Sequence, residues 1–177
     1  MGFRSAADNP AYRFVGLFAL YLGVIAFGYP WITEHWVTPV RIITTATAEI
    51  EHTLLSLVSD RVKLTGNLVE LGDFGVRIIM ECTGIFEALI FLAAVLAYPT
   101  TWTKKFIGIG IGVPILYAFN ILRILVLLEV GCHWFALFDF MHLYFWQATL
   151  ILMITSVWLL WILKVVRNEE PDASAGA

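Results

Sequence analysis

Three polar side chains interrupt or border strongly apolar runs: Cys82 in "MECTGIFEALIF", Arg123 in "FNILRILVLL" and His142 in "FDFMHLYFW". A thiol, a guanidinium and an imidazole can together carry out nucleophilic acyl transfer, although a lone cysteine read by itself is usually a small buried hydrophobe. The thiolate is the nucleophile, a fixed cationic donor stabilises the oxyanion of the tetrahedral intermediate, and a ring that titrates near neutrality carries the proton. Cys82 precedes Thr83 and Gly84 at the mouth of an apolar helix, where unpaired backbone N–H groups and the helix dipole favour an anion. Arg123 lies about a turn and a half from the outer end of its run, with Asn120 one turn earlier on the same face. A guanidinium at the centre of a membrane helix costs about 2.5–3.5 kcal/mol. Either an oxyanion role or a packing ion pair with Glu87 accounts for its presence, and the sequence leaves both open. His142 has Asp139 one turn before it to orient the ring, and His133 in the same loop rivals it as the acid/base group. His52, on a polar stretch, reads as solvated.

The elements that must position these residues follow from composition. The chain is 60% hydrophobic with a mean hydropathy of +0.83, against about 45–50% apolar for soluble domains. We therefore read an all-α polytopic membrane protein, a single membrane domain over residues 1–177. Four runs approach the roughly 20 residues that cross about 30 Å of hydrocarbon: about 14–32, 84–98, 106–128 and 143–163. The first follows Arg4 and Arg13 without a small-residue cleavage pattern and reads as a retained anchor. Lys and Arg flank the spans at Arg4, Arg13, Lys104, Lys105, Lys164 and Arg167, which predicts both termini in the cytoplasm. Residues 33–81 are then extracytoplasmic. Within them Val40, Ile43, Thr47, Ile50, Leu54 and Leu57 step by three and four, with Thr38 and Pro39 as N-cap and first helical residue, so an amphipathic helix is expected. Alternation around Gly66-Asn67 and Gly72-Asp73 then predicts short strands or extended loops. The tail 168–177 is expected to be disordered.

Composition and spacing also exclude. No basic block is long enough to follow a phosphate backbone, so no nucleic acid partner is expected. Cys82 and Cys132 are the two cysteines, enough for one bridge or two free thiols. Cys132 beside His133 is short of the three protein ligands that zinc requires; no metal and no cofactor are expected. The predicted topology adds one inference that no single residue supports. Cys82, Arg123 and His142 begin, end and begin successive spans, which places them at similar depth on the outer side.

"ECTGIFEALIFLAAVLAYP", "AFNILRILVLL" and "FMHLYFW" resemble, in this order, the Cys, Arg and His motifs of the exosortase/archaeosortase family. The similarity covers roughly residues 60–160, and the chain's size is similar to the short exosortase H subgroup. Cysteine-[Ser/Thr]-Gly opening a span, followed by Asn-x-x-Arg in the next, is fairly specific. The resemblance implies a membrane-embedded cysteine transpeptidase or protease that processes a C-terminal sorting signal of exported proteins. Its substrates would be membrane-anchored proteins ending in a short motif, one apolar helix and a basic tail. By the same match Cys82 would be the nucleophile, Arg123 the stabiliser, His142 the acid/base group and Asn120 a supporting residue. An amine on a lipid or glycan, or water, would resolve the acyl-enzyme, with membrane lipids as the surroundings.

Two readings from other classes stand beside it. A quinone-linked thiol–disulfide membrane oxidoreductase reaches similar size with four spans, but such chemistry relays electrons through cysteine pairs, and no C-x-x-C occurs. A non-enzymatic membrane assembly protein would use Arg123, Glu87 and Asn120 to join helices.

Overall fold

A computed structural model describes residues 9–167. Arg4 and the tail 168–177 lie outside the described residues. Helix α1 (Pro10–His35) opens with the Asn9 side chain accepting the Ala11 N–H at 3.0 Å and with proline first in the helix, where its missing N–H costs nothing. It has no fully buried residue and runs antiparallel along α3 (Ile85–Ala97), with Phe14 against Tyr98 at 5.9 Å and Tyr29 against Phe86 at 5.1 Å.

Helix α2 (Val37–Ser56) begins one residue before the predicted cap, so Pro39 falls inside its first turn, where it is tolerated for the same reason. Its buried face is Thr44, Thr47, Ala48, Glu51 and Leu55. Of the predicted stripe only Thr47 belongs to that face, and Ile50, Leu54 and Leu57 are exposed. The helix is rotated because its threonines are self-sufficient: the hydroxyls of Thr44 and Thr47 donate to Val40 O and Ile43 O in the preceding turn, both at 3.0 Å. Small, internally satisfied residues then pack closely, and the larger apolar ones face outward. Glu51 is fully buried with neither carboxylate oxygen hydrogen-bonded, and burial pushes its carboxyl up to about 8.

The predicted strands form a three-stranded antiparallel meander of β1 (Val62–Thr65), β2 (Leu68–Leu71) and β3 (Phe74–Arg77). Both connections are two residues long, and Gly66 and Gly72 each have φ 63°, the first loop position that type II′ hairpins reserve for glycine. The register pairs Leu64 with Val69 and Val69 with Val76. Val69 joins Ala48, Leu55, Ile78, Ile124 and Leu128 in one buried cluster between the sheet, α2 and α4 (Trp102–His133).

Three helical rods, 10–35, 102–133 and 135–166, are long and apolar enough to cross a membrane. The last is continuous through α5 (Phe135–Phe140), a π turn (Met141–Phe145), α6 (Trp146–Trp161) and a second π turn (Ile162–Val166). The third and fourth runs are thus longer than the predicted 106–128 and 143–163. The second is shorter: α3 has 13 residues, about 20 Å of helix, and lies against the others through Phe91, Val95, Leu116, Val157 and Trp161. Close approach of α3 to α4 depends on Gly112, where a side chain would run into the Phe91 ring. At the end opposite the sheet, Trp161 Nε1 donates to Lys104 O at 2.9 Å and Lys104 Nζ to Val166 O at 2.9 Å. Tyr98 also packs there against Phe14, so Arg13, Lys104, Lys105, Lys164 and Arg167 gather at one end of the bundle.

Candidate active site

The backbone before α3 is not helical. After β3 the Ile78 N–H donates to Asn67 O at 2.8 Å and Asn67 Nδ2 to Ile78 O at 2.7 Å, which fixes the exit from the sheet. A single 3₁₀ turn, Met80–Cys82, follows. The Thr83 hydroxyl, on a fully buried residue, donates to Met80 O at 2.7 Å. Gly84 then turns with φ +75°, and α3 begins at Ile85. Cys82 therefore stands three residues before the first residue of α3, and its own N–H is already used, donating to Ile79 O at 2.9 Å. Irregular backbone among apolar helices needs internal partners. Asn120, 1% exposed, supplies one by donating Nδ2 to Cys82 O at 2.6 Å.

That bond sets the level of Cys82 against α4. Arg123 is three residues further along the same helix, 8% exposed, and its Nε has no hydrogen-bond partner. Because α4 continues to His133, Arg123 lies ten residues from the helix end, nearly three turns, instead of a turn and a half. Sheet and α2 cover those extra turns; a side chain at Gly131 would collide with the Phe74 ring. Among the described residues no ion pair joins Arg123 to Glu87, and Glu87 Oε2 is itself buried and unpaired.

His142 sits in the first π turn, a local widening that is often found at functional sites. Its ring stacks on Phe138 at 5.6 Å and 4°, and Nδ1 is buried without a partner. Asp139 is exposed and forms no hydrogen bond with the ring, so Phe138 holds the imidazole in place. His133 is half exposed and committed to its own helix, with Nδ1 3.1 Å from Glu129 O and 3.3 Å from Glu129 Oε2. His52 lies on α2, away from these groups. Cys82 and Cys132 are both free. Asn120 and Cys132 are twelve residues apart on α4, about 18 Å along its axis, whereas a disulfide requires Cα atoms about 4.4–6.8 Å apart. Cys132 packs instead beside the Gly72 turn.

Two residues that sequence reasoning passed over belong to the same region. Tyr29 on α1 has a buried, unpaired hydroxyl, and the groups acting on it electrostatically are Glu81, Glu87 and Cys82. Trp146, one turn after His142, packs edge-on against Phe119 of α4 at 5.9 Å and has an unpaired buried Nε1. Among the described residues nine buried side-chain polar atoms lack partners, and six of them belong to these helices: Tyr29 Oη, Glu87 Oε2, Asn120 Oδ1, Arg123 Nε, His142 Nδ1 and Trp146 Nε1; the other three are the Glu51 carboxylate oxygens and Trp158 Nε1. Buried polar groups are paired in more than about nine cases of ten. An aromatic at the end of an apolar run normally signals only the membrane interface, which is why neither residue stands out in the sequence.

Asn120 thus ties the Cys82 turn to the helix that carries Arg123, and comparison gives the family. The profile described as transmembrane exosortase matches residues 10–161, and the chain belongs to that family. It is also 34% identical over 64 residues to archaeosortase A of Haloferax volcanii, a match covering 36% of this chain and 21% of that protein. The chain thus spans about a fifth of the length of that curated relative. No solved structure matches it significantly.

Proposed function

We propose that this protein is a membrane-embedded cysteine transpeptidase that cleaves a C-terminal sorting signal of exported proteins through a thioester acyl-enzyme. The observation that carries the reading is the Asn120–Cys82 bond, which holds the cysteine turn against the helix on which, one turn further along, lies a buried arginine whose Nε has no partner. Cys82 attacks the scissile carbonyl, the Arg123 guanidinium holds the resulting oxyanion, and His142 passes the thiol proton to the departing amine. An amine on a lipid or glycan, or water, then attacks the thioester and frees Cys82. His142 is favoured over His133 because its Nδ1 is buried and unbonded, while the ring of His133 is bonded within its own helix.

The gathering of lysines and arginines at the end opposite the sheet supports an orientation with both termini cytoplasmic and the Cys82 end outward. This is the cytoplasmic membrane of a prokaryote, with the reaction on its outer face. The substrate's anchor helix would lie beside the bundle and bring its preceding motif to Cys82. Family membership favours sorting chemistry over the assembly reading, as does the absence of an Arg123–Glu87 pair among the described residues. The separation of the two thiols disfavours disulfide relay. The test is Cys82→Ala in cells carrying a tagged protein with a motif, one apolar helix and a basic tail. Cleavage is expected to stop while the variant accumulates and melts like wild type; continued cleavage would refute the proposal.

A further inference from the structure

The proposed reaction gives α1 no part, yet α1 brings a phenol against the first turn of α3, the helix that the Cys82 turn leads into. Tyr29 is one residue before Pro30, its ring is held by Phe86 of α3 at 5.1 Å and 60°, and its hydroxyl is buried with no partner. Cys82, Glu81 and Glu87 are the groups within its electrostatic reach. A phenol ordinarily deprotonates near pH 10, so in neutral solution it offers an O–H and acts as a donor. Glu87 Oε2 is likewise buried and unpaired, so no hydrogen bond joins the two.

Resting on the transpeptidase reading, we infer that Tyr29 is a further catalytic residue: its hydroxyl donates a hydrogen bond to the carbonyl oxygen that Cys82 attacks, sharing the oxyanion with Arg123. As the S–C bond forms, the carbonyl π pair moves to oxygen, and Tyr29 keeps its proton while its hydrogen bond shortens. When the C–N bond breaks, the pair returns to the carbonyl, and the amine leaves with the proton that His142 took from the thiol. No other reactant is needed. A neutral donor adds directionality without a second buried charge, which matters in a site where an unpaired ion is costly.

Tyr29→Phe removes the hydroxyl and leaves the ring contact with Phe86. With the full chain reconstituted in vesicles and a tagged sorting-tail protein that wild type cleaves, single-turnover acylation should slow about 100-fold. KM should stay within threefold and the melting temperature should be unchanged. Replacing Tyr29 with 3,5-difluorotyrosine keeps the shape and makes the phenol more acidic, so the alkaline limb of the kcat profile should move to lower pH. A purely structural tyrosine moves neither. An unchanged acylation rate in Tyr29→Phe, or an effect confined to KM, overturns this role even where Cys82→Ala abolishes cleavage. If Cys82→Ala cleaves normally, the transpeptidase reading itself fails, and the inference falls with it.

Discussion

Gly84 decides whether Cys82 can be held where Asn120 holds it. Its φ of +75° is a left-handed conformation, and a methyl group there would stand 3.0 Å from both Cβ and Cγ of Asn120 and 3.3 Å from Nδ2. Gly84→Ala therefore acts twice. A left-handed backbone costs a residue with a Cβ about 1–2 kcal/mol. The methyl also displaces the Asn120 amide from Cys82 O, and leaving that buried acceptor unpaired costs about 1–3 kcal/mol. Together the loss is about 2–5 kcal/mol, which at about 2–4 °C per kcal/mol for a chain of this size lowers Tm by roughly 5–20 °C. Gly110→Ala is the matched control: the same chemical change on α4, with nothing within 4 Å of the new Cβ and up to about 1 kcal/mol of helix propensity in its favour. Melting in detergent and cleavage of a sorting-tail substrate at a permissive temperature read both consequences. Cleavage should fall at least tenfold in Gly84→Ala and hold steady in Gly110→Ala. Two variants that melt and cleave alike would refute the positioning argument.

Arg123→Lys retains the charge but not the planar fork of donors, so cleavage should drop at least tenfold with the protein still folded; near-normal turnover would show that charge alone suffices. Glu51 governs pH dependence. Its folded-state pKa is raised to about 8 from 4.5, so the folded protein binds that proton more tightly than the unfolded chain. The stability it contributes is full below about pH 4.5 and is lost, at up to about 1.4 kcal/mol per unit, as pH climbs through about 8. Glu51→Gln cannot ionise and should flatten the Tm profile across that window, whereas parallel profiles for wild type and variant would contradict the assignment.

The membrane bundle and the strands around Gly66 and Gly72 are legible in the sequence because they rest on signals that act locally: long apolar runs, and glycines that a two-residue hairpin demands. The face of α2 is not. Periodicity analysis assumes that apolar residues turn inward, an assumption that holds when water is the solvent. Beside a membrane, Ile50 and Leu54 are stable facing outward, while Thr44 and Thr47 satisfy their own hydroxyls and pack inside. The ends of α4 and of the last rod differ from the predicted ones for a related reason. Glu129, His133, Asp139 and His142 lower local hydropathy, yet the backbone continues as helix because the sheet and α2 cover α4's final turns. Cys82, Arg123 and His142 are proposed from residue type and order alone. Tyr29 and Trp146 could not, since their significance lies in unpaired polar atoms, which only coordinates reveal.

The account's central claim is that Cys82 carries the acyl group. Its most direct test is intact-mass and peptide-level mass spectrometry of the purified protein, rapidly acid-quenched while turning over a sorting-tail substrate. The account predicts an adduct equal to the cleaved substrate fragment on the peptide containing Cys82, released by hydroxylamine and lost in Cys82→Ala. Efficient cleavage with Cys82 unmodified at every quench time, and undiminished in Cys82→Ala, would contradict it.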